Sequence, residues 1–564
     1  MPPLSLPFTI SPRSLAKPFD AACARLDSAQ FASSLWSRRL DVWTSDPAVR
    51  QLIANRLGWV TALDFVAPLV PRMRAFADSV TQSGFTDVVL LGMGGSSLAP
   101  EVLRQVLCSP ARNPRFRVLD SVDPDAVRAA MARAKNTLFV LASKSGSTIE
   151  PNVMAEEAKR RVIADGHGDW AKRFIAITDQ DTALHRRAVT EGFRDIFVNP
   201  SDIGGRYSAL SLFGMVPAAL MGLDLDGLLT RARVMELACR VDRASENPGL
   251  ALGALMGAGA LSGRDKLTLW VPPQLQSLGL WVEQLVAEST GKHGKGVVPI
   301  TGEPEPTDVD LGDDRVVVGL SVGAQKAPGL HRLEVEDVPH ASLEMPDLVS
   351  IGAEFLRWEV ATATAGLLLD INPFDEPNVQ QAKDATRGLL DRYQQQHQLP
   401  FPEAHGSSSG ARLTLTEPAV EALGGSSADA FLQVAKAGDY VALLAYLPSD
   451  DSQWENALQT FRQAIATRSA KATSVGFGPR YLHSTGQLHK GGAPNGVFII
   501  ITADATEDLA IPEAPYSFGV LETAQALGDF QSLDRTGRRG LLVRLSKRDV
   551  DQFEGVAKQL VEAL

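Results

Sequence analysis

From Asp87 onward the chain repeats one pattern: a short, mainly apolar run, a few small or polar residues, then an amphipathic stretch. The apolar runs are Val88 to Leu91, Arg117 to Leu119, Leu138 to Leu141 and Phe174 to Ile177. Helical spacing marks Ala99 to Leu107, Asp125 to Ala134 and Val153 to Ala164 between them. Strands apolar on both faces and separated by amphipathic helices predict a parallel sheet covered on both sides, a doubly wound α/β fold. The pattern resumes at Leu267 to Val271, Val297 to Ile300 and Arg315 to Val322, with long helices at Gln276 to Ser289 and Leu348 to Leu368. Further strands are expected at Tyr440 to Leu447, Val497 to Thr502 and Leu541 to Leu545.

Before Asp87 the expectation is helical. Asp46-Pro47 supplies a cap and a first-turn proline for Ala48 to Leu57, with Gly58 as the stop. The Ser/Gly-rich stretch His405 to Arg412 reads as a loop. The expected organisation is a helical segment over 1–60, a first α/β domain over 61–225, a second over 226–400, and a C-terminal α/β part over 413–564 that completes the second. Two sheets are the economical reading.

Composition narrows the function classes. The 564 residues are 45% hydrophobic and 21% charged, and 55 Lys and Arg against 66 Asp and Glu leave a net charge of −11. No global positive field exists to hold an extended polyanion, so nucleic acid is not expected as a partner. One phosphate ester needs only local donors. Cys23, Cys108 and Cys239 are too few and too scattered for a disulfide framework or thiolate cage, which fits a reducing cytoplasm. The first residues lack the basic and apolar regions of a secretory signal. The longest apolar run, Ala209 to Leu223, contains Gly214, Pro217 and Gly222 and suits a buried helix, so no membrane association is expected.

Six segments could carry chemistry. Val88-Val-Leu-Leu-Gly92-Met-Gly94-Gly95-Ser96-Ser97 runs from a strand through glycines and serines into a helix, which would aim backbone N–H groups at an anion; it also suits a plain tight turn. One βα unit later, Ser143-Lys144-Ser145-Gly146-Ser147-Thr148 places four hydroxyls and an ammonium at the end of a strand. That set can wrap a phosphate or cap a solvated helix. Both loops lie at carboxyl ends of expected parallel strands, where such sheets bind ligands.

Asp202-Ile-Gly204-Gly205-Arg206-Tyr207-Ser208 offers a guanidinium beside flexible backbone, suited to a developing oxyanion or to a surface turn. In Trp281-Val-Glu-Gln284-Leu-Val-Ala-Glu288-Ser-Thr-Gly-Lys292, Gln284 and Glu288 share one helix face among apolar neighbours, where a carboxylate is poised for proton transfer. Asn372-Pro-Phe-Asp375-Glu376-Pro leads into a helix carrying Lys383, and Leu482-His483-Ser-Thr-Gly-Gln-Leu-His489 holds two histidines without zinc-site spacing. A histidine of near-neutral pKa suits proton transfer.

Together these segments resemble phosphoglucose isomerase over roughly Asp87 to Thr502, most closely the isomerase half of bifunctional transaldolase/phosphoglucose isomerase proteins. No stretch of transaldolase-barrel size precedes the likeness, so isomerase activity alone is expected. The resemblance implies two sugar isomerase (SIS-type) domains with helical extensions. It also implies interconversion of glucose 6-phosphate and fructose 6-phosphate through a cis-enediolate, in a cytoplasmic homodimer, without metal or redox cofactor. It implies a pocket of Gly95, Ser96, Ser143, Lys144, Ser145, Ser147 and Thr148, with Glu288 as the base between C2 and C1 and Arg206 stabilising the enediolate. His483, which could enter a neighbouring subunit's site, and Lys383 would open the ring, and Gln284 would orient the substrate.

The chain departs from the family at three points. Lys383 precedes His483 where the single-function members have the reverse order. The family's Phe-Asp-Gln is Phe374-Asp375-Glu376, and its Thr-Phe-Thr is Ser145-Gly146-Ser147. The alternatives are a non-catalytic sugar-phosphate sensor of the SIS type and a dual phosphoglucose/phosphomannose isomerase.

Overall fold

A computed structural model describes residues 6–109, 114–303 and 311–564; the Met1–Ser5 stretch, which begins the region read as lacking a secretory signal, lies outside them. Three sheets organise the chain. The first is parallel throughout, in the order Arg115–Leu119, Asp87–Leu91, Thr137–Ala142, Phe174–Asp179, Asp195–Asn199. Its apolar runs feed two cores because successive side chains point to opposite faces. Val88, Leu90, Leu138 and Val140 join the N-terminal helices and the second sheet, whereas Val89, Leu91, Phe139 and Leu141 face the other way. This is the doubly covered sheet that the pattern predicts.

The second sheet runs Phe8–Ser11, His340–Met345, Arg315–Val322, Lys266–Trp270, Val298–Ile300, parallel except for its first strand. The N-terminal segment, expected as helix alone, therefore also supplies an antiparallel edge. Asp46 does cap a helix, accepting from the N–H of Ala48 and Val49, but that helix ends at Ala54 rather than at Gly58. Gly58 instead donates to the Asp202 carbonyl at 2.8 Å, in a contact so close that a Cβ would lie 2.2 Å from Asp202 Oδ1. The apolar run after Ala209 folds as the wholly buried helix Leu212–Leu220.

The C-terminal part does not extend the second sheet, as the two-sheet reading expected. It forms a third sheet in the order Gly406–Ser408, Ala411–Leu415, Arg539–Arg544, Gly496–Thr502, Tyr440–Tyr446, Ala472–Phe477. One face has its own core, containing Val441, Leu443 and Ile499; the other, with Ala442, Leu444 and Ile500, shares a core with the first sheet. The reason is local. The Ser-rich stretch read as a loop folds into a hairpin, with Ser409 and Gly410 both at positive φ as a tight primed turn requires. The hairpin pairs antiparallel with Arg539–Arg544 and closes that edge. No helix of the described residues is long and apolar enough to cross a membrane.

Candidate active site

A cleft of about 500 Å³ opens where the carboxyl ends of the first sheet's strands meet the second and third sheets. Gly94 to Ser96 form a 3-10 turn between Asp87–Leu91 and the helix Leu98–Leu107, with Gly94 at φ +53°. The glycines there are needed for close approach. A Cβ on Gly94 would lie 2.8 Å from both Gln284 Nε2 and the His483 carbonyl, and one on Gly95 would lie 2.0 Å from the Gly205 carbonyl oxygen. The glycine loop is thus the place where three of the predicted segments touch.

The second loop forms one wall. Ser143 Oγ accepts from the Gly146 N–H at 3.1 Å, and the Ser145 and Ser147 hydroxyls lie 2.9 Å apart. Thr148 is the N-cap of the helix Ile149–Ala164 but makes no side-chain cap bond, so its hydroxyl is uncommitted to the helix. Gly146, at φ +68°, packs its α-carbon against Leu184, where any Cβ would come within 2.4 Å of the backbone nitrogen. A bulky side chain at this position would not fit the packing. Lys144 lines the cleft paired with Asp179, and also donates to the Ser201 carbonyl at 2.7 Å. Burial raises the Asp179 carboxyl, with Lys144 opposing.

The other wall carries the titratable groups. Glu288 and Gln284 share one face of the helix Leu278–Thr290, and Gln284 Nε2 donates to Glu288 Oε2 at 3.2 Å and to the His483 carbonyl at 2.8 Å. The buried Gln284 Oε1 has no partner among the described residues. Arg206, 4% exposed, lies with Nη1 3.7 Å from Glu288 Oε2. Burial pushes the Glu288 carboxyl above its ordinary range; Arg206 opposes this and Glu376 reinforces it. For Arg206, burial acts to lower the pKa but is outweighed by Glu288 and Glu376, so the guanidinium stays charged.

The His-bearing segment is delivered by the third sheet of the same chain. Arg480, following the strand Ala472–Phe477, grips Asp120 at the end of Arg115–Leu119 with two bonds of 2.9 and 2.7 Å. The next turn sets His483 Nε2 2.9 Å from Glu150 Oε1. Gln487 Nε2 ties this segment to the Gly291 carbonyl at 2.9 Å and to Asn378 Oδ1 at 2.8 Å. Within this chain the third sheet folds back over the first, so that His483 lines the cleft of its own chain. Lys383 lies exposed at the cleft rim.

All the expected site residues except Ser147 line this one cleft; Ser147 lines an adjoining cavity of about 370 Å³, which shares Thr148, Lys383 and His483 with it. Sequence reasoning did not single out Glu150, whose first-turn position after Thr148 looks like ordinary helix capping. It is 3% exposed and accepts from both His483 and Gln525, the latter at 2.7 Å. His483 holds this carboxyl below its ordinary range against the effect of burial. Lys292 was also missed. It is fully buried, donates to the Asn372 carbonyl at 2.8 Å and to Asp375 Oδ1 at 2.7 Å, and is lowered by burial to about 8.

Residues 65–300 match the family model of phosphoglucose isomerase. Among curated relatives, the glucose-6-phosphate isomerases of Synechococcus sp. (strain CC9605) and Parasynechococcus marenigrum (strain WH8102) are each 30% identical over 353 residues, or 54% of this chain. The chain spans just under two thirds of those relatives, 65% and 63%. A crystal structure of a hypothetical protein from Thermus thermophilus superposes with a TM-score of 0.56 at 24% identity, covering 68% of this chain and 99% of its own. A glucose-6-phosphate isomerase from Chlamydia trachomatis superposes at 0.51 with 18% identity, covering 68% of this chain and 85% of its own. These two likenesses concern the fold.

Proposed function

For a chain related to the phosphoglucose isomerases, we propose an aldose–ketose isomerase that interconverts glucose 6-phosphate and fructose 6-phosphate, a step of glycolysis and gluconeogenesis. The observation that carries this reading is the Glu288–Arg206 pair, 3.7 Å apart in a cleft whose opposite wall is rich in hydroxyls. A desolvated carboxylate beside a fixed guanidinium is what proton abstraction next to a carbonyl needs.

The phosphate sits on the hydroxyls and N–H groups of Ser143, Ser145, Ser147 and Thr148, with Gly95 and Ser96 beside the sugar. Lys144, already shared with Asp179, adds partial charge. His483 and Lys383 assist ring opening. Glu288 takes the C2 proton, the released pair forms the C1–C2 double bond, and the carbonyl pair moves onto O1 as an enediolate facing Arg206. Glu288 returns the proton to C1 while the C2 oxygen becomes the carbonyl and its proton passes to O1. The reaction is redox-neutral overall and needs no external electron carrier. Gln284, whose Nε2 bridges Glu288 and the His483 carbonyl, helps orient the substrate by holding those two groups in place.

A coupled assay on fructose 6-phosphate tests the proposal. Glu288→Gln should fall at least about a hundredfold below wild type, some 2.7 kcal/mol of barrier; a loss within tenfold would remove Glu288 as the base. Binding without exchange of the C1 or C2 proton with solvent would favour the sensor reading instead, and turnover of mannose 6-phosphate would extend the substrate range. A cytoplasmic setting is part of the proposal, supported by the buried thiols of Cys23 and Cys239. So is a homodimer, although the cleft draws His483 from its own chain; light scattering measures the assembly.

A further inference from the structure

Arg206 has five N–H groups, and the structure accounts for four. Nε donates to Ser289 Oγ at 2.8 Å, and Nη2 donates to the carbonyls of Pro373 and Asp375 at 3.0 and 2.9 Å. Nη1 gives one N–H to Glu376 Oε2 at 3.0 Å. The remaining N–H is on the same Nη1, which lies 3.7 Å from Glu288 Oε2. Two carboxylates thus share one guanidinium nitrogen, within about 7 Å of each other, where like charges interact appreciably even near water.

We propose that Glu376 is a positioning residue: it holds Arg206 Nη1 so that the last free N–H faces the reacting atoms, and its negative charge makes Glu288 a stronger base. The inference rests on Glu288 being the base. Glu376 occupies a position where the resemblance expects a neutral glutamine, so the added charge is a feature of this chain's own sequence. Its side chain is 38% exposed, so solvent screens the effect without abolishing it.

The other charged groups facing Glu288 are Arg206, His483 and Lys292, all of which favour its ionised form. Lys292 is paired with Asp375, and His483 with Glu150. Lys383 lines the same cleft. Glu376 is the group of this set whose charge works against ionisation of Glu288. The sign of its effect on rate follows. Turnover requires Glu288 ionised and falls as pH drops through its pKa, and a neighbouring anion moves that fall to higher pH.

The test is the pH profile of kcat/KM for fructose 6-phosphate in wild type, Glu376→Gln and Glu376→Ala. In Glu376→Gln the amide oxygen still accepts from Nη1 while the charge is gone. Its acid limb should move to lower pH by about one unit, a tenfold rise in ionised Glu288 on the acid side. The plateau kcat should stay within about threefold of wild type. In Glu376→Ala the limb should move equally, but plateau kcat should fall at least tenfold with KM less affected, because the guanidinium is no longer held. An unchanged acid limb in Glu376→Gln overturns the electrostatic role, and an unchanged plateau kcat in Glu376→Ala overturns the positioning role. Wild type inactive on fructose 6-phosphate would instead refute the isomerase reading itself, so the two failures are told apart.

Discussion

The Glu150–His483 contact allows a prediction that separates ring opening from isomerisation. An ionised carboxylate only accepts hydrogen bonds, so the 2.9 Å bond assigns the proton to His483 Nε2 and leaves Nδ1 as the nitrogen available to a ligand. The Glu150 carboxylate is buried, also accepts from Gln525, and is held in its ionised form by His483. It therefore fixes the tautomer and ring orientation in which His483 presents Nδ1 to a ligand. Glu150→Gln keeps the shape and an acceptor oxygen but removes the charge. A hydrogen bond to a charged group contributes about 1.5–3 kcal/mol and a neutral one about 0.5–1.5, so the change should cost about 1–2 kcal/mol in any step that makes His483 cationic. That is roughly a 5- to 30-fold loss.

Two substrates separate the steps. Glucose 6-phosphate is predominantly cyclic and needs ring opening. A tetrose 4-phosphate carries its phosphate on the oxygen that would close the ring and enters already open. Glu150→Gln should lower kcat/KM for the hexose by 5- to 30-fold and leave proton exchange at C2 of the tetrose within about twofold. Equal losses on both would mean that Glu150 acts on general site geometry, and loss on neither would mean that His483 takes no part in ring opening.

Two further outcomes follow from packing and burial. Gly95→Ala places a methyl group 2.0 Å from the Gly205 carbonyl, so the glycine loop and the Arg206 turn must separate. Stability should drop by about 1–3 kcal/mol in denaturant unfolding and turnover at least tenfold; an unchanged midpoint with full activity would refute the close-approach argument. Glu283, on the far side of the helix that carries Glu288, is raised by burial from 4.5 to about 7. The folded state therefore binds more protons than the unfolded one between those values, and its stability falls as pH rises through that window. Glu283→Gln should stabilise the protein at pH 8 by about 2 kcal/mol and by much less at pH 5, and equal shifts at both pH values would exclude the titration.

Most of the strands legible in the sequence are buried on both faces, although Arg115–Leu119, at the edge of its sheet and partly exposed, is legible too. Val88 to Leu91 and Leu138 to Leu141 are continuous apolar runs and Arg315 to Val322 is a mainly apolar one, and each is a strand at or within two residues of the expected limits. Among the strands not anticipated, Asp195–Asn199 and Ala472–Phe477 end their sheets, and His340–Met345 alternates in burial. A polar residue on an open face dilutes the apolar signal, and pairing with a remote strand decides the outcome. The same limit applies to the site. Glu288, Arg206 and the hydroxyl loop stand in short motifs whose chemistry is local, whereas Glu150 has a role only because His483, more than 300 residues later, folds onto it.

The proposed phosphosugar site sits in an acidic chain. A net charge of −11 spread over the surface says little about a cleft in which Arg206 and Lys144 are each fixed by protein partners and other cations are pinned behind its walls. Arg206 is held by Ser289 and two carbonyls, Lys292 by Asp375, and Arg480 by Asp120. Each pairing spends charge to fix geometry. Arg206 keeps one free N–H, Lys144 is shared with Asp179, and Arg480 serves to anchor the histidine turn. In the proposed complex much of the affinity for a phosphosugar is expected from oriented N–H and O–H groups, whose number does not change with net charge. On this arrangement salt should weaken substrate binding only mildly, because hydroxyl and amide donors are not screened as separated charges are.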